Sequence, residues 1–166
     1  MKTIVTLRFA LFLVFIGLIS TSCNKPSKEE EKKAAEFRAF STSKKFKVIS
    51  FYADKPVDYD ESDNIVKQET DLWAYVKEYI RDDVNFVMDN QVQIEQNAIK
   101  YPGTDAVTLM RQFNVGSDRT GAYLEFVDYF YEPLRYKLFE FKENYFILYI
   151  DFKGGAKLFS KYELIP

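Results

Sequence analysis

The segment LMRQFNVGSDRTGAYLEFVDYFYEPLRYKLFEFKENYFILYIDFKGGAKLFSKY, residues 109–162, consists of short runs in which apolar and polar side chains alternate. Residues typical of turns separate these runs. Each run is rich in Phe, Tyr, Ile, Val and Leu, and such runs joined by tight turns are typical of an antiparallel meander. The segment therefore predicts five consecutive strands. They are Leu109–Val115, Ala122–Asp128, Leu134–Phe141, Tyr145–Phe152 and Ala156–Glu163.

Two upstream features predict three more strands. Phe46–Ala53 alternates in the same way. Val84–Met88 and Gln91–Gln96 flank Asp89-Asn90, a pair that suits the primed turn of a tight hairpin. The side chains expected to face inward in this hairpin are Val84, Phe86, Val92 and Ile94.

Between the first strand and the hairpin the apolar period becomes helical. Asp71–Ile80 places five apolar residues on one helical face, with Thr70 or Asp71 in position to cap the helix. These apolar residues are Leu72, Trp73, Val76, Tyr79 and Ile80. We expect one short helix after the first strand, covering one end of the sheet.

The predicted fold is mainly β, with eight antiparallel strands and one short helix. A sheet of this size with one apolar face can close into an up-and-down barrel, whose interior is filled by side chains or holds one small ligand. A sandwich of two sheets built from the same strands is the alternative. Tyr145–Phe152 is apolar on both faces, so we expect the interior on one side of it and the helix or N-terminal segment on the other.

The N-terminus has the three parts of an export signal. A start with Lys2 and Arg8 precedes the apolar run Phe9–Ile19, and three small residues follow before Cys23, the single cysteine. The apolar run is too short to span a bilayer as a helix. This plan resembles a bacterial lipoprotein signal. The resemblance implies that Cys23 is acylated, with palmitate as an acyl group. It also implies that the chain is exported and anchored to a bacterial membrane, which we expect to be the outer membrane. Ordinary secretion with a free thiol is the alternative.

The predicted domain plan has three parts. Residues 1–22 are the signal peptide, residues 23–45 are the lipidated cysteine with a polar tether, and residues 46–166 are the β domain. Asn24–Lys33 is charged and has no apolar period, which is typical of a solvated segment, although a Glu–Lys pair four residues apart allows a transient helix over Glu29–Arg38. The acidic cluster also looks like the surface-export tag of some Gram-negative lipoproteins, so the periplasmic and the surface face both stay open.

The charge and composition narrow the possible partners. The chain has 23 basic and 25 acidic residues, and a mildly acidic body does not suggest a nucleic-acid partner. A single cysteine forms no internal disulfide, so burial of apolar surface must stabilise the fold. The 16 Phe and 12 Tyr residues predict a largely aromatic core.

The layout as a whole is similar to the small lipocalin-like (calycin-type) lipoproteins of Gram-negative bacteria. The resemblance rests on the lipoprotein signal, the first strand, a short helix that runs into Asp82–Phe86 (DDVNF), the hairpin and the closing meander. It covers residues 46–164 and implies a lipocalin-like barrel. The Gly-x-Trp of the first lipocalin strand is absent, and Trp73 lies on the predicted helix instead.

The sequence offers little equipment for catalysis. It contains no histidine, which excludes Ser-His-Asp and Cys-His sites, His-ligated zinc and the commonest general base. The carboxylates of the meander lie on strands, where they face solvent as easily as a cavity. They are Glu125, Asp128, Glu140 and Asp151. We therefore predict a protein that is not an enzyme and needs no cofactor; an envelope hydrolase with two inward carboxylates is a distant alternative.

The loop after the first strand matches part of a calcium-binding template. Asp58, Asp60, Ser62 and Glu69 occupy positions one, three, five and twelve, which supply oxygen ligands in such loops. Position six is Asp63 and not the usual glycine. Two interpretations of this loop are possible: a Ca²⁺ site that orders the loop against Trp73, or an acidic surface loop without a metal.

Aromatic residues in the meander form a second candidate site. Tyr129, Phe130 and Tyr131 are predicted on a loop, where large apolar side chains are not needed for a core, and exposed aromatics mark ligand or partner surfaces. Together with Trp73 they are the candidate ligand-binding residues. An aromatic plug at one end of the barrel is the alternative.

Two functions from different classes follow. The first is a membrane-anchored lipocalin-like lipoprotein that binds a small apolar or amphipathic molecule in the barrel or at its mouth, without catalysis. The second is a structural or assembly lipoprotein with a filled core that acts through contacts with envelope proteins, whose identity the sequence does not specify. A cavity of roughly 300 Å³ or more distinguishes the first from the second.

Overall fold

The computed structural model describes residues 25–60, 66–127 and 134–166, and this part of the chain is mainly β. It contains nine strands and two helices. The strands are β1 (Lys45–Val57), β2 (Glu69–Asp71), β3 (Val84–Val87), β4 (Gln91–Glu95), β5 (Thr108–Asp118), β6 (Gly121–Val127), β7 (Leu134–Lys142), β8 (Tyr145–Asp151) and β9 (Lys157–Ile165). The helices are α1 (Lys28–Ser41) and α2 (Glu78–Asp82), and Trp73–Tyr75 and Lys153–Gly155 are 3₁₀ turns.

The antiparallel sheet closes in a ring. Its strand order is β2-β1-β3-β4-β5-β6-β7-β8-β9, and β1 also pairs with β9, from Lys45 opposite Ile165 to Ala53 opposite Leu158. The start of β1 pairs with β3, while its end pairs with β2. The register of β1 against β9 shifts after Val48, an irregularity of the kind that increases strand twist. The sheet is therefore barrel-like.

The mainly β class and the closing antiparallel sheet confirm the coarse prediction. Each of the eight predicted runs overlaps an observed strand, in the predicted order. The predicted number of strands is one too low, because Glu69–Asp71 pairs with the end of β1 as β2. Within the described residues the strands form one sheet, so the alternative of two sheets is not observed.

The hairpin of β3 and β4 corrects the predicted facing of β3. Val87 lies opposite Val92 and Asn85 lies opposite Ile94, and directly opposed residues point to the same face. Asn85 and Val87 therefore face inward with Val92 and Ile94, whereas the prediction of Val84 and Phe86 as inward residues is wrong. A two-residue turn at Asp89-Asn90 requires this register.

The predicted helix over Asp71–Ile80 is also wrong in extent. Asp71 ends β2, and the backbone N–H of Leu72 donates to the Phe51 carbonyl of β1 at 3.0 Å. A 3₁₀ turn follows, Val76 is extended, and α2 begins only at Glu78. An isolated helix of about ten residues is marginal, so the backbone partners that the end of β1 offers decide the local structure.

Helix α1 replaces most of the predicted polar tether. The Ser27 hydroxyl caps it by accepting from the Glu30 N–H at 3.2 Å, and three glutamates occupy its first turn, where the helix dipole favours acids. Phe37 is fully buried, with its ring centroid 5.2 Å from that of Phe146. The prediction of a polar tether over residues 23–45 does not hold for the second half of α1, because the stripe of Ala34, Phe37 and Phe40 packs on the sheet.

Polar contacts fix α1 against three strands. Arg38 Nη2 donates to the Val115 carbonyl at 2.6 Å, and Glu30 Oε2 accepts from the Ala122 N–H at 2.8 Å. Lys33 Nζ donates to the Phe139 carbonyl at 3.1 Å. Because these partners lie on β5, β6 and β7, α1 closes the end of the ring at the β5–β6 turn. Neither α1 nor α2, the helices among the described residues, has the length and apolar run to cross a bilayer.

Two apolar clusters form the core of the described residues. The larger fills the ring interior next to α1 and includes Phe37, Phe46, Leu124 and Leu148. The smaller lies at the end of β1, where Leu72 is fully buried beside Val57 and Leu158. Both clusters consist of residues between 34 and 164. Residues 25–166 therefore carry the complete observed core and the closing β1–β9 pair, and we expect them to fold as a unit.

Neither α1 nor α2, the helices among the described residues, covers the outer face of β8. Phe146 and Leu148 point into the ring, and Ile147 on the opposite face is buried between its strand partners Glu140 and Lys161. Helix α1 contacts β5 and β6 instead. Among the described residues, which begin at Lys25, the expected cover of the second face of β8 by a helix is not observed, and neighbouring strand side chains bury Ile147 there.

Candidate ligand-binding cavity

A cavity of about 370 Å³ lies inside the ring. Seven strands contribute to its wall, which places it in the interior rather than in a surface groove. The strand residues are Val48, Asn85, Ile94, Arg111, Phe126, Leu134, Tyr136 and Tyr162, and Ile80, Asp83 and Tyr101 complete the lining. The volume lies in the range of small-molecule sites.

The cavity occupies the end of the ring away from α1. On β5, α1 contacts Val115 whereas Arg111 lines the cavity, and on β6 the corresponding residues are Ala122 and Phe126. Below the cavity, the interior is filled around Phe46, Phe146 and Leu148 and leaves a void of only about 20 Å³. The ring is thus filled at one end and hollow at the other.

The wall is mainly apolar, with tyrosine hydroxyls at intervals. Val48, Ile94 and Phe126 provide aliphatic and aromatic surface. Burial raises the pKa of Tyr136 and Tyr162 above the ordinary value, so both phenols stay protonated at neutral pH. An apolar wall with a few hydroxyls suits an apolar or amphipathic molecule.

Asp83 is the exceptional residue of the wall. It follows α2, its side chain is only 4% exposed, and its Oδ1 atom has no hydrogen-bond partner among the described residues. Burial and the neighbouring Asp82 raise the pKa of Asp83 to about 6, against the opposing charges of Arg111 and Lys100. At neutral pH the cavity therefore holds a carboxylate with an unsatisfied acceptor.

A loop between β4 and β5 borders the cavity and is held by a buried amide. Gln96 is 3% exposed; its Nε2 donates to the Ala106 carbonyl at 2.7 Å and its Oε1 accepts from the Tyr101 N–H at 2.5 Å. The Tyr101 ring then packs on Tyr79 with centroids 4.3 Å apart, and the Arg111 guanidinium lies 5.3 Å from the Tyr101 ring centre. These contacts fix Tyr101 against the cavity.

Of the four predicted ligand-binding residues, the structure describes only Trp73. Tyr129, Phe130 and Tyr131 lie outside the described residues, although Phe126 and Leu134 on either side of them line the cavity. Trp73 is half-buried beneath the Arg81 guanidinium, 5.3 Å from its ring centre, and does not line the cavity. The role of the three loop aromatics stays a prediction.

The predicted calcium ligands are not brought together where they are described. Glu69 Oε2 accepts from the Tyr75 hydroxyl at 2.7 Å, and Asp58 Oδ1 accepts from the Lys67 N–H at 3.4 Å. Ser62, the predicted ligand at position five, lies outside the described residues, as does Cys23, the predicted acylation site. Across residues 25–60, 66–127 and 134–166, no group of three Cys, Asp or Glu side chains could hold a metal ion. A calcium site therefore stays an untested prediction.

The carboxylates of the meander form contacts between strands. Glu125 pairs with Arg135 at 2.9 Å, and Asp151 pairs with Lys137 at 2.8 Å. Glu140 Oε1 accepts from the Tyr145 hydroxyl at 2.8 Å. Asp128 lies outside the described residues. The three described carboxylates do not line the cavity.

Sequence reasoning missed Asp83, Asn85 and Arg111. The alternation of side chains along β3 was the available signal for Asp83 and Asn85. Because Val87 faces inward, Asn85 and Asp83, two and four residues before it, lie on the same face. Polar residues on an inward face are exceptional and point to a site.

Comparison with known protein families, curated proteins and solved structures finds no match for this chain.

Proposed function

We propose that the chain is a membrane-anchored, lipocalin-like lipoprotein that binds a small apolar or amphipathic molecule in the hollow end of its ring, without catalysis. The cavity of about 370 Å³ carries the proposal, because a filled core would leave only voids smaller than one side chain. The anchor rests on the sequence pattern around Cys23. The eight strands that form the closed circuit, with β2 beside it, are compatible with the lipocalin-like plan.

A structural or assembly lipoprotein is the second candidate. It is favoured by the filled half of the ring and by Phe139, which is 50% exposed on the outer face of β7. An exposed aromatic of this kind suits a protein contact. The cavity favours the first candidate, since protein–protein contacts do not require an interior space.

Binding of N-phenyl-1-naphthylamine, a neutral fluorescent probe, tests the proposal on residues 25–166. We expect saturable one-to-one fluorescence enhancement. Ile94→Trp places a larger side chain at the cavity wall and should weaken binding at least roughly tenfold, because filling the space removes about one side chain's worth of contact area. Phe139→Trp makes a similar change on the outer face of β7 and should leave binding unchanged. Absence of saturable binding, or equal binding by the two variants, would contradict the proposal.

A further inference from the structure

We infer that the bound molecule carries a protonated amine, which pairs with the Asp83 carboxylate while its apolar part occupies the cavity. This inference rests on the proposed function and names the chemistry of its ligand. It starts from the one described buried side-chain atom that lacks a partner, which belongs to a residue of the cavity wall.

Asp83 is a buried acceptor without a donor among the described residues. Its side chain is nine-tenths buried, and Oδ1 accepts no hydrogen bond within the described part of the chain. A buried polar atom without a partner is costly, and more so when it is charged. A ligand that brings a positively charged donor to this carboxylate recovers most of that cost on binding, whereas a neutral head group recovers less of it.

Three charged groups surround Asp83. Asp82 on α2 raises the pKa of Asp83, and Arg111 on β5 and Lys100 on the β4–β5 loop lower it. Asp82 Oδ2 already accepts from the Ala98 N–H at 2.9 Å, and Lys100 Nζ donates to the Gln96 carbonyl at 2.9 Å. The unmet requirement at the cavity wall is therefore a donor.

Neither Arg111 nor Tyr79 donates a hydrogen bond to Oδ1 of Asp83. Arg111 packs on the Tyr101 ring, 5.3 Å from its centre. The Tyr79 phenol, whose pKa is raised mainly by burial and also by the Asp83 charge, packs on the same ring. A carboxylate head group would bring a second acceptor of the same charge to Asp83. A protonated amine supplies donors and the opposite charge, and charge-assisted hydrogen bonds are about twice as strong as neutral ones.

The remaining wall of the cavity is mainly apolar. Val48, Ile94, Phe126 and Leu134 surround the space with apolar surface, which suits an alkyl chain or a ring system attached to the amine. Leu134 is 50% exposed and Ile80 is 36% exposed, so apolar side chains also border the entrance. The combination selects an amphipathic amine over a fully polar one.

Isothermal titration calorimetry with three ligands of equal chain length tests the inference on residues 25–166. Decylamine, 1-decanol and decanoate differ only in the head group. At pH 7.5 we expect decylamine to bind at least roughly tenfold more tightly than the other two, as expected for one charge-assisted contact. Asp83→Asn should remove this preference while 1-decanol binding is retained, and Glu78→Gln, an exposed carboxylate change on α2, should keep it.

The pH dependence gives a readout that does not require a variant. Since the pKa of Asp83 is about 6, lowering the pH from 7.5 to 5 protonates it and should weaken decylamine binding by roughly tenfold, and it should weaken 1-decanol binding less. Equal binding of all three ligands at pH 7.5 would overturn the amine inference and leave the proposed function intact. Failure of all three to bind would overturn both.

Discussion

Asp83 combines a structural cost with a place at the cavity wall. A carboxylate that is 4% exposed and lacks a partner for Oδ1 opposes folding, because burial disfavours its charged form. The packed aromatic layers below the cavity offset this cost. Residues that oppose stability cluster at functional sites, and the position of Asp83 fits that pattern.

Asp83→Asn should stabilise the protein at neutral pH. The pKa of Asp83 is about 6 in the folded chain and 3.8 when exposed, a difference that corresponds to roughly 2–3 kcal/mol. Between these values the folded chain holds a proton that the unfolded chain has released, so the Asp83 contribution to stability falls as the pH rises from about 4 to about 6. It stays low above that window.

Urea unfolding at pH 4 and at pH 7 measures this effect. We expect the variant to exceed the parent in free energy of unfolding by on the order of 2 kcal/mol at pH 7 and to differ little at pH 4. A variant that is less stable at pH 7, or an advantage that does not change with pH, would show that Asp83 forms a stabilising contact in the folded protein.

Single residues also show where sequence reasoning succeeds and fails. Val92 and Ile94 face inward as predicted, since they are apolar residues at alternate positions of a strand. The inward facing of Asp83 and Asn85 was not predicted, because polar residues were expected on the outward face. The turn at Asp89-Asn90 sets the register instead. Turn geometry overrides side-chain polarity when the two disagree.

Helix α1 is the element that most changes the expected architecture. It places Phe37 against Phe141 and Phe146, with ring centroids 5.5 and 5.2 Å away, and so fills the closed end of the ring. Its sequence was ambiguous because the glutamates and lysines that precede Phe37 dominate the segment. Such charges are compatible with a solvated spacer and with the exposed face of a helix. Packing of the segment against the sheet distinguishes the two.

Phe37→Ala should destabilise the protein strongly. The side chain is fully buried, and truncating a buried Phe to Ala typically costs about 3–5 kcal/mol. Glu36→Ala is the matched control on the same helix. It removes an exposed pair with Lys32, at 3.6 Å, and pairs of this kind are worth about 0–1 kcal/mol.

Thermal and urea unfolding of both variants provide the measurement. A Phe37→Ala cost below about 1 kcal/mol would mean that α1 does not contribute to the core. Loss of the amide protection of Ala122, which donates to Glu30, should accompany the destabilisation, because both contacts belong to α1.

The strands were predictable and the short elements were not. A run such as Tyr145–Asp151 specifies a strand by its own composition. By contrast, Glu69–Asp71 is a strand only because the end of β1 lies beside it. The same contact interrupts the helical pattern from Leu72 onward. Short elements take their structure from tertiary contacts, which no local pattern contains.

At the scale of the whole molecule, the ring divides into two halves with different interiors. Around Phe46 and Phe146 the aromatic side chains leave about 20 Å³, whereas toward Tyr136 the space widens to about 370 Å³. Ring closure by β1 and β9 makes this possible, since a closed sheet encloses a volume that one set of side chains does not need to fill. The composition predicted an aromatic core but not how unevenly it fills the ring.

Native mass spectrometry of the full chain, purified gently from the envelope of its host, tests the hollow end of the ring most directly. We expect an additional mass of one small molecule per chain, released by denaturation, and we expect it to be absent from the Ile94→Trp variant and present in Phe139→Trp. A chain of unliganded mass in the parent protein, or a bound mass that Ile94→Trp retains, would contradict the account and favour a structural lipoprotein that acts through its surface.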